Sequence, residues 1–438
     1  MAIGDEGNVK WVDGLRGVAS ALVVIKHISA GWFTYLLWPA ADEKAAPVLL
    51  QLPYFRVLIQ GRIGVAIFCL VTGYVCALKP VKNFNSGTQT VAFTSMSRSA
   101  IRRVPRLVLP VAIIILISCI ATQMGAFLIA NHCDGYGLPE TSPRQRDNIF
   151  LALGAAFKDL LSVWTHGQSE YGAELWTMMP ILKGAFWVYI FLIATAYVQQ
   201  KWRMAIALAL TLFRWACNDP FFGMQFFFGA FMADLQNLDP GSFSKLQVMS
   251  SNSSMRGALS IFFLLVGLFV ASLPDKHSEW QPWSDSLHKF LESILPTNPD
   301  FPRFASGIGL DIIVVGLHLS PMARGILANR FFLFLGRMSF AVYLLHNQIL
   351  RSVLCWMIYG IAVPAEGEPH LVLDSPVRLF MVLPLYFALT YGSAYLWTTH
   401  VDAFCARVSE RMVGVIKENQ NEKAPPLLPQ SQQGQHRS

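Results

Sequence analysis

Residues 11–33 read WVDGLRGVASALVVIKHISAGWF, an apolar run of the length a membrane-crossing helix needs. Asp13 is a good N-cap, and helix-tolerant apolar residues follow it. Within the run stand an arginine, Arg16, and a histidine, His27, eleven positions apart. At roughly 100° per residue this spacing is about three turns, so the two side chains share one helix face about 16 Å apart along the axis. If the helix spans a bilayer, Arg16 lies near the headgroups and His27 near mid-depth. A polar group there costs on the order of 3 kcal/mol and is to be satisfied inside a bundle.

The rest of the chain agrees with a membrane setting. Of 438 residues, 54% are hydrophobic and only 14% charged, with a mean hydropathy of +0.43; soluble chains are closer to a quarter charged. The formal net charge of +7 and pI near 9.0 fit basic cytoplasmic loops better than nucleic-acid binding. The seven cysteines are scattered, with no CxxC pair, which gives neither a disulfide framework nor a zinc site. The segment MAIGDEGNVK has no apolar core ahead of a small-residue cleavage site, so no removable signal peptide is expected.

The expected fold is all-α: a polytopic transmembrane helix bundle of about ten spans, near 15–37, 56–78, 104–130, 176–198, 204–217, 221–236, 257–273, 305–320, 332–360 and 377–399. The fifth and sixth are short and can also be read as one broken hairpin around Asn218-Asp219-Pro220. Lys79, Lys82, Arg98, Arg102 and Arg103 join spans two and three, and Arg407, Arg411, Lys417 and Lys423 follow the last. The positive-inside rule then puts both termini in the cytoplasm. Longer loops, 131–174 and 274–303, fall on the far side, as an acceptor site or plain connectors. The stretch 149–163 is too short and charged for a span. The sequon Asn252-Ser253-Ser254 falls in a cytoplasmic loop, where it goes unused. Residues 1–410 are expected to form one membrane domain and 411–438 a disordered cytoplasmic tail, polar and Pro/Gln-rich from about 418.

Chemistry-bearing residues are few. In SRSAIRRVPRLVLP, Arg98, Arg102, Arg103 and Arg106 gather where the second cytoplasmic loop enters span three. Arginine forks suit phosphate oxygens of an anionic cofactor such as coenzyme A, although a positive-inside anchor needs no more than this cluster. Arg106 lies beyond Pro105, toward the apolar side. His27 stands out from other intramembrane histidines because Arg16 shares its face; His346 has a weaker claim. Asp234 and Asp311 are site candidates by position, with helix packing an equal reading. Lys26 needs a partner that the sequence does not name. No Gly-rich phosphate loop, HExxH, GxSxG or metal-ligand spacing is present.

Several stretches together resemble the acyltransferase 3 family of membrane acyltransferases, in particular its filamentous-fungal branch. VDGLRG at 12–17 through His27 is similar to the family's L-D-G-L-R-G opening and its Arg-x10-His signature. GVAIFCLVTGY at 64–74 resembles the second-span motif, with Thr72 at its serine, and RRVPRL at 102–107 resembles R-R-x-x-R-(I/L). LWT at 175–177 opens like L-W-T/S, and FLGRMSF at 334–340 with YLLH at 343–346 resembles the late L-G-x-x-S-(F/Y)-x-x-Y-L-x-H. The likeness runs from about 11 to 400. Two departures stand out: Ile181 occupies the place of a glutamate usual after L-W-T, with Glu174 a nearby carboxylate, and Lys26 precedes the histidine where the family is usually apolar.

The resemblance implies acyl transfer from a thioester, acyl-CoA as co-substrate, to a hydroxyl of a small molecule, lipid or glycan, in a membrane protein with no permanently bound cofactor, no metal and no nucleic-acid partner. An alcohol needs a base to remove its proton, and imidazole, with a reference pKa of about 6.5, serves near neutral pH. His27 is the expected general base, with Arg16 beside it as the second catalytic candidate. Arg16 with Arg102, Arg103 and Arg106 would hold the donor phosphates. Ser339, Tyr343 and His346 are supporting candidates for the oxyanion donor, on the motif alone. Two other readings stay open: a multi-span transporter of a small organic anion, for which repeated halves are expected and none is seen, and a non-catalytic family member, encouraged by Ile181.

Overall fold

The computed structural model describes residues 10–238, 253–364 and 371–416. Among the described residues the regular structure is helical, apart from an isolated bridge between Cys133 and Leu371. The principal helices are α1 (Lys10–Trp32), α2 (Gly61–Asn85), α3 (Gln89–Gln123), α4 (Ile149–Thr165), α5 (Met178–Ala194), α6 (Gln200–Ala216), α7 (Gly223–Gln236), α8 (Ser253–Val270), α9 (Pro282–Ile294), α10 (Phe301–Leu319), α11 (Arg330–Ile349) and α12 (Pro376–Trp397). Both α11 and α12 run on through a π-helical turn, Leu350–Leu354 and Thr398–Asp402, into a further α-helical stretch. Asn148, Asp300, Asn329 and Ser375 cap helix starts, each accepting from a first-turn backbone N–H.

Among the described residues five helical segments are long and apolar enough to cross a membrane: Gly61–Asn85, Gln89–Gln123, Ala173–Ala194, Phe301–Leu319 and Pro376–Val415. A sixth arises if Pro321–Leu327 and Arg330–Tyr359, bent by 60°, are one span. The protein is therefore a helical membrane protein, and five or six crossings, not ten, follow from length and composition. The shortfall has physical causes. Lys10, Asp13, Arg16 and Lys26 dilute the hydropathy of α1, and α6 and α7 are only 17 and 14 residues long. The latter two are separate helices, joined through Asn218 at φ 58°. The expected tail boundary at 411 falls inside the last helix, Ala403–Ile416; from 417 the tail, like Asn252 of the sequon, lies outside the described residues.

Helix packing without a hydrophobic driving force depends on close backbone approach, which small residues permit. α1 packs on α11 and on α2, and α2 packs on α7. A Cβ on Gly17 would lie 2.6 Å from the amide nitrogen of Gly336, and one on Gly336 only 2.0 Å from the carbonyl oxygen of Asp13. Farther along the same two helices the ring centroids of His27 and His346 are 5.1 Å apart. Each histidine follows its contact glycine by ten residues, so α1 and α11 run parallel and in register. The α2/α7 crossing is equally tight, Gly73 facing the Phe226 carbonyl.

Replacing Gly336 by alanine forces this crossing apart and is expected to cost about 1–3 kcal/mol, typical of overpacking. Gly392→Ala, where an added methyl meets nothing within 4 Å, leaves stability nearly unchanged. Thermal unfolding in detergent distinguishes the two.

Candidate functional site

A cavity of about 700 Å³ opens between α1, α2, α3, α5, α11 and the continuation of α12. The lining at one end holds six cations, Arg16, Lys79, Arg102, Arg103, Arg106 and Arg337, against a single carboxylate, Asp402. Some of this charge is already tethered. Arg16 lies 3.6 Å from Asp13, Arg102 pairs with Glu410 at 3.0 Å, and Arg103 Nη1 donates to Cys76 Sγ at 2.7 Å. The remaining excess of guanidinium groups at one mouth suits an anion with several phosphates. Of the sequence-derived residues, Arg16, Arg102, Arg103, Arg106 and Tyr343 all line this one cavity, and the structure adds Lys79 and Arg337. Arg337 stands inside a motif remarked on only for its glycine, serine and histidine; one residue after the contact Gly336, about 100° round the helix, it lines the cavity.

Toward the opposite end the lining turns apolar, through Phe68, Met178, Ile181 and Phe340, and reaches Tyr343. The Phe68 and Tyr343 rings meet edge to face at 5.6 Å. Tyr343 is fixed by its hydroxyl, 2.8 Å from Thr177 Oγ1 and 2.8 Å from the Glu174 carbonyl, which accepts. Its ring centroid is 6.0 Å from that of His346, which in turn is 5.1 Å from His27. Neither histidine lines the cavity itself; they stand behind Tyr343. His346 Nδ1 lies 3.0 and 2.9 Å from the carbonyls of Val342 and Tyr343. Carbonyls only accept, so the hydrogen is assigned to Nδ1, and Nε2 keeps a lone pair with no partner among the described residues.

Other candidates are placed elsewhere. Ser339 is buried and donates to the Gly336 carbonyl within its own helix at 2.8 Å, away from the cavity. Asp234 forms an ion pair with Arg203 at 2.7 Å, both side chains 1% exposed, which is helix packing. Asp311 lies near Gln225, whose amide donates to the Pro220 and Gly307 carbonyls at 3.3 Å. In the loop after α3, Asp134 accepts from Tyr359 Oη and from the Leu373 backbone at 3.0 Å, tying residues 131–142 to the stretch before α12.

Lys26 finds the partner that the sequence left open: its Nζ donates to Asp275 at 2.8 Å, and Arg62 lies 3.6 Å from the same carboxylate. Asp275 belongs to the loop after α8, so this contact staples that loop to α1 beside His27. Burial alone would raise the Asp275 carboxyl. The neighbouring Lys26, Arg62 and Arg56 outweigh it and hold the group below its ordinary value.

The acyltransferase domain family matches residues 9–399. Among characterised proteins the chain is similar to the O-acetyltransferase PaAT-1 of Phomopsis amygdali, 28% identical over 374 residues, covering 79% of this chain and 73% of that protein. It is also similar to acyltransferase R4 of a Phoma species and to acyltransferase clz18 of Cochliobolus lunatus, each 22% identical over 78% of this chain and 82% of the relative. No solved structure matches.

The depressed Asp275 carboxyl makes a stability prediction. Its contribution is complete above the unfolded-state carboxylate range and is lost as pH falls through the lower folded value. Removing one partner, Lys26→Met, leaves the buried carboxylate to Arg62 alone as ion-pair partner, at 3.6 Å, and should cost about 1–3 kcal/mol, whereas Lys26→Met with Asp275→Leu recovers part of the loss. Melting temperatures of the single and double variants at neutral and acid pH check both statements.

Proposed function

The chain belongs to the acyltransferase 3 family and is an acyltransferase of membrane type, and from that premise we propose that it transfers an acyl group from acyl-CoA to a hydroxyl, with His27 as the general base. The observation that carries this reading is the cavity that begins among Arg16, Arg102, Arg103 and Arg106 and ends at Tyr343, one ring away from the two histidines. In this mechanism the arginines bind the nucleotide and diphosphate oxygens, and the pantetheine arm lies along the apolar wall. The roughly 16 Å from Arg16 to His27 along α1 is within reach of such an arm.

The thioester then lies at the Tyr343 end, where His27 takes the proton of the acceptor hydroxyl as its oxygen attacks the thioester carbon. The carbon–sulfur bond breaks, and the departing thiolate takes the proton back from the imidazolium, which restores the base. His346, with its hydrogen on Nδ1 and a free Nε2, stands next to His27 as a second acceptor for that proton. The acetyl group is the acyl chain to test first, because one relative is named an O-acetyltransferase; the acceptor class is a hydroxyl-bearing small molecule, lipid or glycan. We place both termini in the cytoplasm. Both termini on one side need only an even number of crossings, which six apolar segments satisfy, as would ten if α1, α6, α7 and α8 also crossed.

The test uses purified protein in nanodiscs with acetyl-CoA, followed as free thiol with and without a cell extract as acceptor source. His27→Ala should lower turnover by about a hundredfold or more, the range of lost general-base catalysis. Arg106→Ala should raise KM for acetyl-CoA about tenfold with kcat largely kept, as expected for a lost charge-assisted phosphate contact. Equal thiol release by wild type and His27→Ala would refute the assignment of the base.

A further inference from the structure

We propose that Glu174 is a positioning residue for the His27 and His346 pair, acting through α11; the inference rests on the acyl-transfer reading above. Glu174 stands on the 3-10 turn Ala173–Thr177 that leads into α5, and it is 2% exposed. A carboxylate so buried is costly unless it is bound, and here what binds it is α11. Asn347 Nδ2 donates to its Oε2 at 2.6 Å, and Tyr343 Oη donates to its main-chain carbonyl at 2.8 Å. Residues 343 and 347 are one helical turn apart on the same face, so the two bonds bracket His346.

Neighbouring contacts make this grip a rigid one. Thr177 Oγ1 shares the Tyr343 hydroxyl at 2.8 Å, and Gln348 Nε2 donates to the Tyr171 carbonyl at 2.6 Å. The segment 171–177 is thereby bonded to α11 through three side chains on two successive turns, Tyr343, Asn347 and Gln348. His346 itself makes no bond to this segment. Its Nδ1 is engaged with its own helix and its carbonyl accepts from Tyr386 Oη at 3.1 Å. The orientation of its ring against His27 is therefore inherited from the rotation of α11, and Glu174 sets that rotation. Arg351, one turn further along, acts on the carboxylate only at a distance, its guanidinium donating to the Thr141 carbonyl and hydroxyl at 2.8 and 3.0 Å. Glu174 meets the cavity lining only through its main-chain carbonyl, which accepts from Tyr343 Oη, and its side chain bonds to Asn347 and not to either histidine, which makes it a positioning residue and not a catalytic one.

The experiment measures acetyl-CoA hydrolysis, with water as acceptor, by wild type, Glu174→Ala and Glu174→Gln in nanodiscs. Glu174→Ala should lower turnover about tenfold to a hundredfold, as misplacement of a catalytic group does, while KM for acetyl-CoA stays within about twofold because the cationic mouth is untouched. Glu174→Gln keeps an oxygen that accepts from Asn347 and should restore turnover to within about threefold. Histidine side-chain nitrogen NMR supplies an activity-free readout: His346 should give one Nδ1-protonated signal in wild type and Glu174→Gln, and a broadened or shifted one in Glu174→Ala. If Glu174→Ala does not fold, Asn347→Ala removes the same bond and takes its place. An active wild type with an equally active Glu174→Ala overturns this inference alone, as does a loss that Glu174→Gln does not restore or that falls on KM. A wild type that releases no thiol with water and none with the cell extract as acceptor source overturns the acyl-transfer reading and this inference with it.

Discussion

The site depends on the close parallel approach of α1 and α11. In a bilayer the lipid tails are as apolar as the helices, so association must come from packing and from polar contacts between helices. Here the packing is carried by Gly17 and Gly336, where the Cβ that any other residue would add lies within 2.6 Å and 2.0 Å of opposing backbone. Because both helices run in one direction, equal spacing from the glycines delivers His27 and His346 to the same depth, ring against ring. A single pair of small residues thus sets the separation of two imidazoles that lie ten residues away.

Around that pair the protein sorts charge by depth. The excess of arginine and lysine lies at one mouth of the cavity, with Asp402 the carboxylate in its lining. The middle is apolar, and the polar groups at the far end are bonded one to the next: Tyr343 to Glu174 and Thr177, Asn347 to Glu174, Lys26 to Asp275. An acyl-CoA has the same polarity profile, with anionic phosphates, a mildly polar arm and a reactive thioester. The correspondence supports the proposed orientation of the donor.

Much of the helical membrane class was legible from hydropathy, because a bilayer imposes length and composition directly. The cluster Arg102, Arg103 and Arg106 was legible too, being local in sequence, whereas its grouping with Arg16 was implied only by the family resemblance. The His27 and His346 contact was not, because it joins residues 319 positions apart through a helix register that only the packed glycines reveal. The partner of Lys26 escaped for the same reason: Asp275 lies in a loop whose path is a tertiary property. Ser339 was singled out on its motif, yet its hydroxyl satisfies the Gly336 carbonyl in its own helix, a use that spacing alone does not distinguish from catalysis. Asn347 gave no signal at all, since an asparagine beside a histidine has no pattern until the buried carboxylate of Glu174 is seen against it.

The most direct test of the account is a structure of the protein bound to a non-hydrolysable acetyl-CoA analogue. The account predicts phosphates among Arg16, Arg102, Arg103 and Arg106, with the analogue's carbonyl beside Tyr343 and within reach of His27. An analogue bound with its carbonyl at the cationic mouth, or outside the cavity altogether, would contradict it.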